Sequence, residues 1–181
     1  MYSFDSKIRY SECDSEARLS IMSLLDYFQD CSVFHSEVCT AGVDFLKEKK
    51  HAWVLSSWQI IFNRMPKLME EVTISTWPYE MRGFYGYRNF AMTTDEGEIL
   101  AKADSIWILV DTKTGRPKKI SKEISDFYEY KERMDMEEVP RKITAQHILS
   151  GYFCGYFILR QRSPDCSRPE RRFVRRQPAG G

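Results

Sequence analysis

Two acidic side chains near the N-terminus are the first residues whose chemistry suits an active site. Glu12 and Asp14 lie in a polar stretch that ends at Ser20, where an apolar helical pattern begins. The first turn of a helix leaves backbone amides unpaired, here near residues 21–23, and such amides can polarise a carbonyl group. A carboxylate close to such amides can attack that carbonyl or activate water, so the acids ahead of the helix, Asp14 among them, are candidates for this chemistry. The alternative, which is favoured over catalysis, is that Asp14 is an ordinary turn residue with no role at the end of a strand.

Histidines and cysteines are weaker candidates. The three histidines are His35, His51 and His147. His35 falls within the helical pattern, where a buried or capping role is favoured over catalysis. Cys31 falls on the apolar stripe and is favoured as a core residue. The five cysteines form no Cys-x-x-Cys pair, so neither a zinc site nor a disulfide framework is predicted, and we expect no metal and no cofactor.

The elements that position these residues follow from hydrophobic periodicity. Residues 2–13 alternate imperfectly, which predicts a strand. Ser20 is a suitable N-cap for a helix that ends near Gly42, with an apolar stripe of Ile21, Leu24, Leu25, Phe28 and Cys31. Segments rich in β-branched and aromatic residues predict four strands, over 51–64, 71–78, 85–94 and 99–111. Shorter elements are a helix over 43–50, a last strand near Ile120 and a helix over 121–130.

This order of elements predicts an α+β domain. One amphipathic helix cannot bury its stripe alone, and a curved antiparallel β-sheet wrapped around one long α-helix is the economical way to cover it. That architecture is the hotdog fold. A hydrophobic content of 43% is sufficient for a real core.

Charge is distributed unevenly along the chain. Residues 1–142 contain 20 lysines and arginines against 24 acids, whereas residues 160–176 contain seven arginines, no lysine and two acids. The net charge of +1 gives no electrostatic reason to expect a nucleic-acid partner. No apolar run approaches the roughly 20 residues that span a bilayer, and the N-terminus lacks a signal-peptide pattern. A cytoplasmic protein with reduced thiols is therefore expected.

Three segments carry a family resemblance. They are IRYSECDSEARLSIMSLLDYFQDCSVFHSE at 8–37, AWVLSSWQIIFNRMPKLMEEVTISTWP at 52–78 and GYRNFAMTTDEGEILAKADSIWILVDTKTGRPKKI at 86–120. In this order they resemble the N-terminal hotdog repeat of the acyl-acyl carrier protein (acyl-ACP) thioesterases. The most specific pieces are the tryptophan strand before Arg-Met-Pro and the A-x-A-x-S-x-W-x-x-x-D strand that leads to Thr-Gly-Arg-Pro.

The resemblance implies hydrolysis of fatty acyl-ACP, which releases a free fatty acid in fatty acid biosynthesis. In that family the first repeat shapes the acyl pocket, which assigns Met22, Leu25, Gln29 and Trp53 to substrate binding. The second repeat carries the catalytic Asp-x-Asn-x-His sequence, which occurs nowhere in this chain. The stretch Arg-Tyr-Ser-Glu-Cys-Asp is also similar to the Gly-Asp-x-Asp segment of single-repeat acyl-CoA thioesterases, in which the second acid, here Asp14, is catalytic.

The resemblance does not extend to the C-terminus. We expect a hotdog repeat over 1–142 and an atypical, partly disordered Arg-rich tail over 143–181 where the second repeat is missing or replaced. A truncated or frameshifted end is favoured for this tail. The alternatives are nucleic-acid or membrane binding through its charge, or binding to the acidic helix of acyl carrier protein. Its apolar segment 147–159 can still pack on the domain as an extra strand.

Three functions stay open at this point. The first is a fatty acyl-ACP thioesterase whose activity depends on a second repeat. The second is an active single-repeat acyl-CoA thioesterase that forms a homodimer through sheet edges and uses Asp14. The third is a non-catalytic module that binds acyl chains or acyl carrier protein. The expected partner is an acyl-thioester substrate or acyl carrier protein, with no nucleic acid and no membrane span.

Overall fold

The described part of the chain is a sheet with one long helix packed against it. The computed structural model describes residues 1–136, 156–161 and 172–175. The helices are α1 (Ile21–Val38), α2 (Val43–Glu48) and α3 (Lys122–Asp126). The strands are β1 (Tyr2–Lys7), β2 (His51–Phe62), β3 (Glu71–Arg82), β4 (Tyr85–Thr93), β5 (Ile99–Asp111), β6 (Tyr156–Gln161) and β7 (Arg172–Arg175).

The sheet is antiparallel over its first five strands. Its order is β1-β3-β4-β5-β2-β6-β7, and all neighbours are antiparallel except β2 and β6, which run parallel. Register shifts in β2, in β3 and between β4 and β5 mark bulges, and bulges bend strands. The four predicted long strands and the α+β hotdog architecture are confirmed.

The core lies between α1 and the inner face of the sheet. Ser20 caps α1 as predicted, because its Oγ accepts a hydrogen bond from the backbone amide of Ser23 at 3.1 Å. Phe28 of α1 is fully buried. It stacks on Trp58 of β2, with ring centroids 5.7 Å apart, and packs against the tilted ring of Phe90 on β4 at 5.3 Å. Of the predicted stripe only Ile21 is exposed. The helix is therefore held by the aromatic residues that the sheet presents to it.

Two predicted boundaries near α1 are wrong. The first strand ends at Lys7 rather than Cys13, because the Glu12 carboxylate bonds the backbone amide and side chain of Arg9 and closes a 3₁₀ turn over Tyr10–Glu12. After α1 the left-handed residue is Thr40, with φ of 59°, and not Gly42. Gly42 instead begins α2 as its N-cap.

The chain after β5 also differs from the prediction. No strand begins at Ile120, whose backbone amide bonds the carbonyl of Gly83 at 2.8 Å. The helix expected over 121–130 is only Lys122–Asp126, capped by the Ser121 hydroxyl. Residues 131–136 then cross the outer face of the sheet, where the Met134 amide donates to Asn89 Oδ1 at 2.8 Å.

The strands β6 and β7 come from the predicted Arg-rich tail. Strand β6 overlaps the apolar segment 147–159 and adds to β2 as an extra strand. The rest of that tail, with His147, Cys154 and Cys166, lies outside the described residues. None of the helices in the described part of the chain is long and apolar enough to cross a membrane.

Candidate functional site

A cavity of about 520 Å³ lies between the helices and one end of the sheet. It is bounded by the C-terminal half of α1, by α2, and by the ends of β2, β3, β4 and β5 that face them. The lining side chains are mainly apolar or small, as in sites that take small organic ligands. They include Gln29, Ser32, Val33, Ser36, Val43, Leu46, Lys47, His51, Ala52, Trp53, Pro78, Met81, Tyr87, Arg88, Trp107, Thr112 and Tyr128.

Trp53 and Gly86 set the width of the cavity on the sheet side. A Cβ atom placed on Gly86 would lie 3.2 Å from Cζ3 of the Trp53 ring. The indole therefore packs on the glycine backbone, and a larger residue at Gly86 would push it into the cavity.

A buried polar cluster lies against the cavity, and three of its residues, Ser36, Arg88 and Tyr128, line the wall. The Arg88 guanidinium on β4 is 7% exposed, and its Nη1 donates to His35 Nδ1 at 2.9 Å and to Thr76 Oγ1 at 3.3 Å. Tyr128 lies over Arg88, with 5.5 Å between Cζ and the ring centroid, and bonds Ser36 Oγ at 2.9 Å. Because an arginine can only donate, His35 Nδ1 must accept, so the imidazole is neutral.

His35 gives the fold a defined pH dependence. Burial, together with the positive charge of Arg88, lowers the pKa of His35 to about 3. Since an unfolded histidine binds its proton near pH 6.5, the unfolded state binds more protons at every pH between those two values. The free energy of unfolding should therefore fall as the pH falls below about 6.5, by up to about 1.4 kcal/mol per pH unit from this residue.

The measurement is urea denaturation of the wild type and His35→Gln between pH 7.5 and pH 4.5. The variant removes the titrating ring, so its stability should depend less steeply on pH than that of the wild type. Carboxylates contribute equally to both proteins and cancel in the difference. Identical slopes for the two proteins would mean that His35 binds its proton as readily in the folded state as in the unfolded state.

The four predicted substrate-binding residues separate into two pairs. Gln29 and Trp53 line the cavity. Leu25 is buried in the core and Met22 packs against the same core, and neither is among the described residues of the cavity wall. The cavity meets the C-terminal half of α1, whereas Met22 and Leu25 belong to its first two turns. A substrate-binding role for these residues stays a prediction.

Asp14 lies in an exposed turn rather than in the described cavity wall. Its Oδ1 accepts hydrogen bonds from the backbone amides of Glu16 at 2.9 Å and Arg18 at 3.1 Å. Glu12 accepts from the Tyr27 hydroxyl at 2.8 Å, which anchors the turn to α1. Both acids therefore accept hydrogen bonds from nearby residues in the structure. The catalytic role of Asp14 stays a prediction.

Cys31 and His35 are core residues, as the sequence favours. Cys31 is fully buried, its Sγ lies 3.6 Å from the carbonyl of Ile74, and burial raises the pKa of its thiol to about 12. A thiol with that pKa is protonated at neutral pH and is not a nucleophile. Among the described residues no group of three or more histidine, cysteine or acidic side chains is placed to hold a metal ion.

The sequence did not point to Arg88 or Tyr128. Arg88 does carry a signal, because the period of two in β4 places it on the same face as Gly86 and the buried Phe90. A charged side chain on a buried face is rare unless it is paired or functional. Tyr128 follows α3 and carries no such signal.

Comparisons with known proteins point to one family. A model of the acyl-ACP thioesterase N-terminal domain matches residues 1–128. A chloroplastic palmitoyl-acyl carrier protein thioesterase from Cuphea hookeriana is 27% identical over 125 residues, which cover 65% of this chain and 30% of that protein. Its counterpart from Gossypium hirsutum is 24% identical over 168 residues, covering 83% and 40%.

Solved structures share the fold. An acyl-ACP thioesterase from Bacteroides thetaiotaomicron superposes with a TM-score of 0.71 and 25% identity, over 83% of this chain and 63% of that chain. A 12:0-ACP thioesterase from Umbellularia californica has a TM-score of 0.66 and 19% identity, over 79% and 60%. The chain therefore spans less than two thirds of the length of each of these relatives.

Proposed function

The chain belongs to the acyl-ACP thioesterase family, a family of thioester hydrolases, through the N-terminal domain of that family, and on this premise we propose that it binds the fatty acyl chain of acyl-ACP for hydrolysis to a free fatty acid. The observation that carries the proposal is the cavity of about 520 Å³ between α1 and the sheet. Its apolar lining suits an alkyl chain, since each methylene taken out of water contributes about 0.8 kcal/mol.

The cavity is better suited to binding than to hydrolysis. Among the described residues no carboxylate and no thiol lines it. Hydrolysis of a thioester needs a carboxylate or another base that activates water, and the Asp-x-Asn-x-His sequence that supplies it in the family is absent from this chain. We therefore propose that the domain over 1–142 holds the acyl chain and that the chain alone hydrolyses acyl-ACP slowly.

Blocking the cavity tests the proposal. Val33 lines the cavity on α1, so Val33→Trp should fill space that about two methylenes would occupy. Loss of that burial weakens the binding of decanoyl-ACP about tenfold. Isothermal titration calorimetry measures the dissociation constant, and a parallel assay of released decanoate measures hydrolysis.

The matched control lies on the same helix. Val38 is 69% exposed and does not line the cavity, so Val38→Trp adds the same side chain to α1 without blocking the cavity. Its affinity for decanoyl-ACP should equal that of the wild type. Equal affinities for the two tryptophan variants would remove the cavity as the acyl site.

A basic segment beside the cavity supports the proposal that the acyl chain arrives on an acidic carrier protein. Thr112 lines the cavity, and the exposed turn that follows it carries five cationic side chains and no acid as far as Lys122. These are Lys113, Arg116, Lys118, Lys119 and Lys122. Such a cluster attracts acidic partners and speeds their association. We propose this side of the domain as the approach for acyl carrier protein.

A second candidate function is the single-repeat thioesterase that uses Asp14. The exposed position of Asp14 ahead of α1 is the observation in its favour. Asn keeps the Oδ1 acceptor that the turn needs but cannot act as a base or a nucleophile. Asp14→Asn should then lower hydrolysis by about a hundredfold or more while the stability stays unchanged within about 0.5 kcal/mol. Undiminished hydrolysis, measured with decanoyl-CoA, would remove Asp14 from the mechanism.

This second function also proposes a homodimer through sheet edges. In the described backbone β6 occupies the outer edge of β2, so the free edges belong to β1 and β7. Sedimentation equilibrium of the chain measures its oligomeric state directly, and a monomer at every concentration would count against this function.

A cytoplasmic location likewise stays a proposal, since the plant relatives are named as chloroplastic proteins.

A further inference from the structure

The Arg88 guanidinium is a buried cation without a carboxylate partner in the described part of the chain. It is 7% exposed, and none of the ion pairs among the described residues includes it. Arginine keeps its proton even when it is buried, so the charge remains. Buried charges are otherwise found paired, because leaving one without a counter-ion is costly.

The neighbours of Arg88 satisfy only part of the hydrogen-bonding capacity of its guanidinium. Nη1 donates to His35 and Thr76, and the Tyr128 ring faces the guanidinium. The other N–H groups of Arg88 make no hydrogen bond to the described residues. His35, Thr76 and Tyr128 are all neutral, so the cluster orients the guanidinium but does not neutralise it.

Arg88 faces the same cavity that we propose for the acyl chain. An alkyl chain there would cover the free N–H groups without offering them an acceptor, which is unfavourable. A thioester offers one neutral carbonyl oxygen. A carboxylate offers two charged oxygens in the geometry that a guanidinium matches best.

We propose that the cavity is a site for a free fatty carboxylate, with the carboxylate paired to Arg88 and the chain along the apolar wall formed by Val33, Leu46 and Trp53. The inference rests on the acyl site proposed above and adds the charge of its ligand. The ligand class is a fatty carboxylic acid in its ionised form, which is also the class of product that hydrolysis of an acyl thioester releases. The site therefore retains product in preference to a neutral chain of the same length.

Calorimetry with decanoate and decanol at pH 8 tests the proposal, because the two ligands have the same chain and differ in charge. The wild type should bind decanoate about tenfold or more tightly than decanol, as expected for hydrogen bonds to a charged group. Arg88→Met should abolish this preference while leaving decanol affinity within about threefold. The matched control Arg82→Met removes an exposed arginine outside the cavity and should keep the preference.

The possible results distinguish failure of the carboxylate site from failure of the acyl site. Equal affinities of the wild type for decanoate and decanol overturn the inference without any variant, and leave the acyl site standing. A preference that persists in a folded Arg88→Met protein also overturns it, and points to Lys47 on the cavity wall. Binding of neither ligand overturns the acyl site and the inference together. If Arg88→Met does not fold, Arg88→Lys keeps the charge but loses the planar fork, and should bind decanoate more weakly than the wild type.

Discussion

Phe28→Ala is expected to lower the free energy of unfolding by about 3–5 kcal/mol, the usual range for deleting a buried phenylalanine. The ring is fully buried and packs against both Trp58 and Phe90, at centroid distances of 5.7 and 5.3 Å. Both partners are themselves fully buried on the sheet, so they cannot move to fill the space. The variant loses the transfer free energy of the ring and gains a cavity at the contact that holds α1 to the sheet.

Phe34→Ala is the matched control for this prediction. Phe34 lies on the same helix but is 42% exposed, with one edge contact to Phe4 at 5.5 Å. Its loss should cost about 1 kcal/mol or less. Urea denaturation followed by tryptophan fluorescence measures both variants. Similar losses would show that α1 is not held mainly by the aromatic contact at Phe28.

The elements with strong local signals were predictable from the sequence. Ser20 has the side chain that an N-cap needs, and the apolar spacing that starts at Leu24 leads directly to the buried face of α1. The period of two in 71–78 predicts the alternating burial of β3. These features depend on neighbouring residues alone, so a single sequence contains them.

Features that depend on distant contacts were not predictable. Glycine is the usual left-handed residue after a helix, but the Glu37 carboxylate packs against Gly42 and bonds the Val43 amide, so Gly42 caps α2 and Thr40 makes the turn. The Arg88–His35 hydrogen bond joins residues 53 positions apart. The period of two along β4 places Arg88 on the inner face of the sheet. Which residues it contacts there depends on how α1 packs against the sheet.

The predicted substrate-binding residues also divide into those that local spacing places correctly and those whose position depends on distant contacts. Gln29 and Trp53 line the cavity, whereas Leu25 shares the helix face of Gln29 but not its position along the axis. A helix face can be read from spacing, but where a cavity opens along that face depends on which elements lie opposite. Here α2 and the residue Tyr128 close the cavity around the C-terminal half of α1.

Asp104→Ala is expected to cost about 3 kcal/mol of unfolding free energy, because it breaks a buried ion pair on the outer face of the sheet. The Asp104 side chain is 1% exposed, and its Oδ2 accepts from Arg133 Nη2 at 2.8 Å while its Oδ1 accepts from the Tyr79 hydroxyl at 2.9 Å. Burial raises the pKa of Asp104, although the bonds to Arg133 and Tyr79 oppose the rise. The ion pair also fixes the segment 131–136 across the sheet, so the Met134 amide should exchange its hydrogen faster in the variant.

Glu123→Ala supplies the contrast, because it breaks an ion pair at the surface. The Lys49–Glu123 pair is 3.0 Å long, but its side chains are 40% and 52% exposed, so its loss should cost about 1 kcal/mol or less. A double-mutant cycle with Arg133→Met isolates the coupling, and the double variant should be less destabilised than the two single losses combined. For Asp104→Ala the expected loss of unfolding free energy is at the lower end of the range for buried ion pairs. The reason is that Arg133 is 30% exposed, so water can solvate it once the Asp104 carboxylate is gone. A loss for Asp104→Ala no larger than that for Glu123→Ala would show that water already reaches Asp104 in the folded protein.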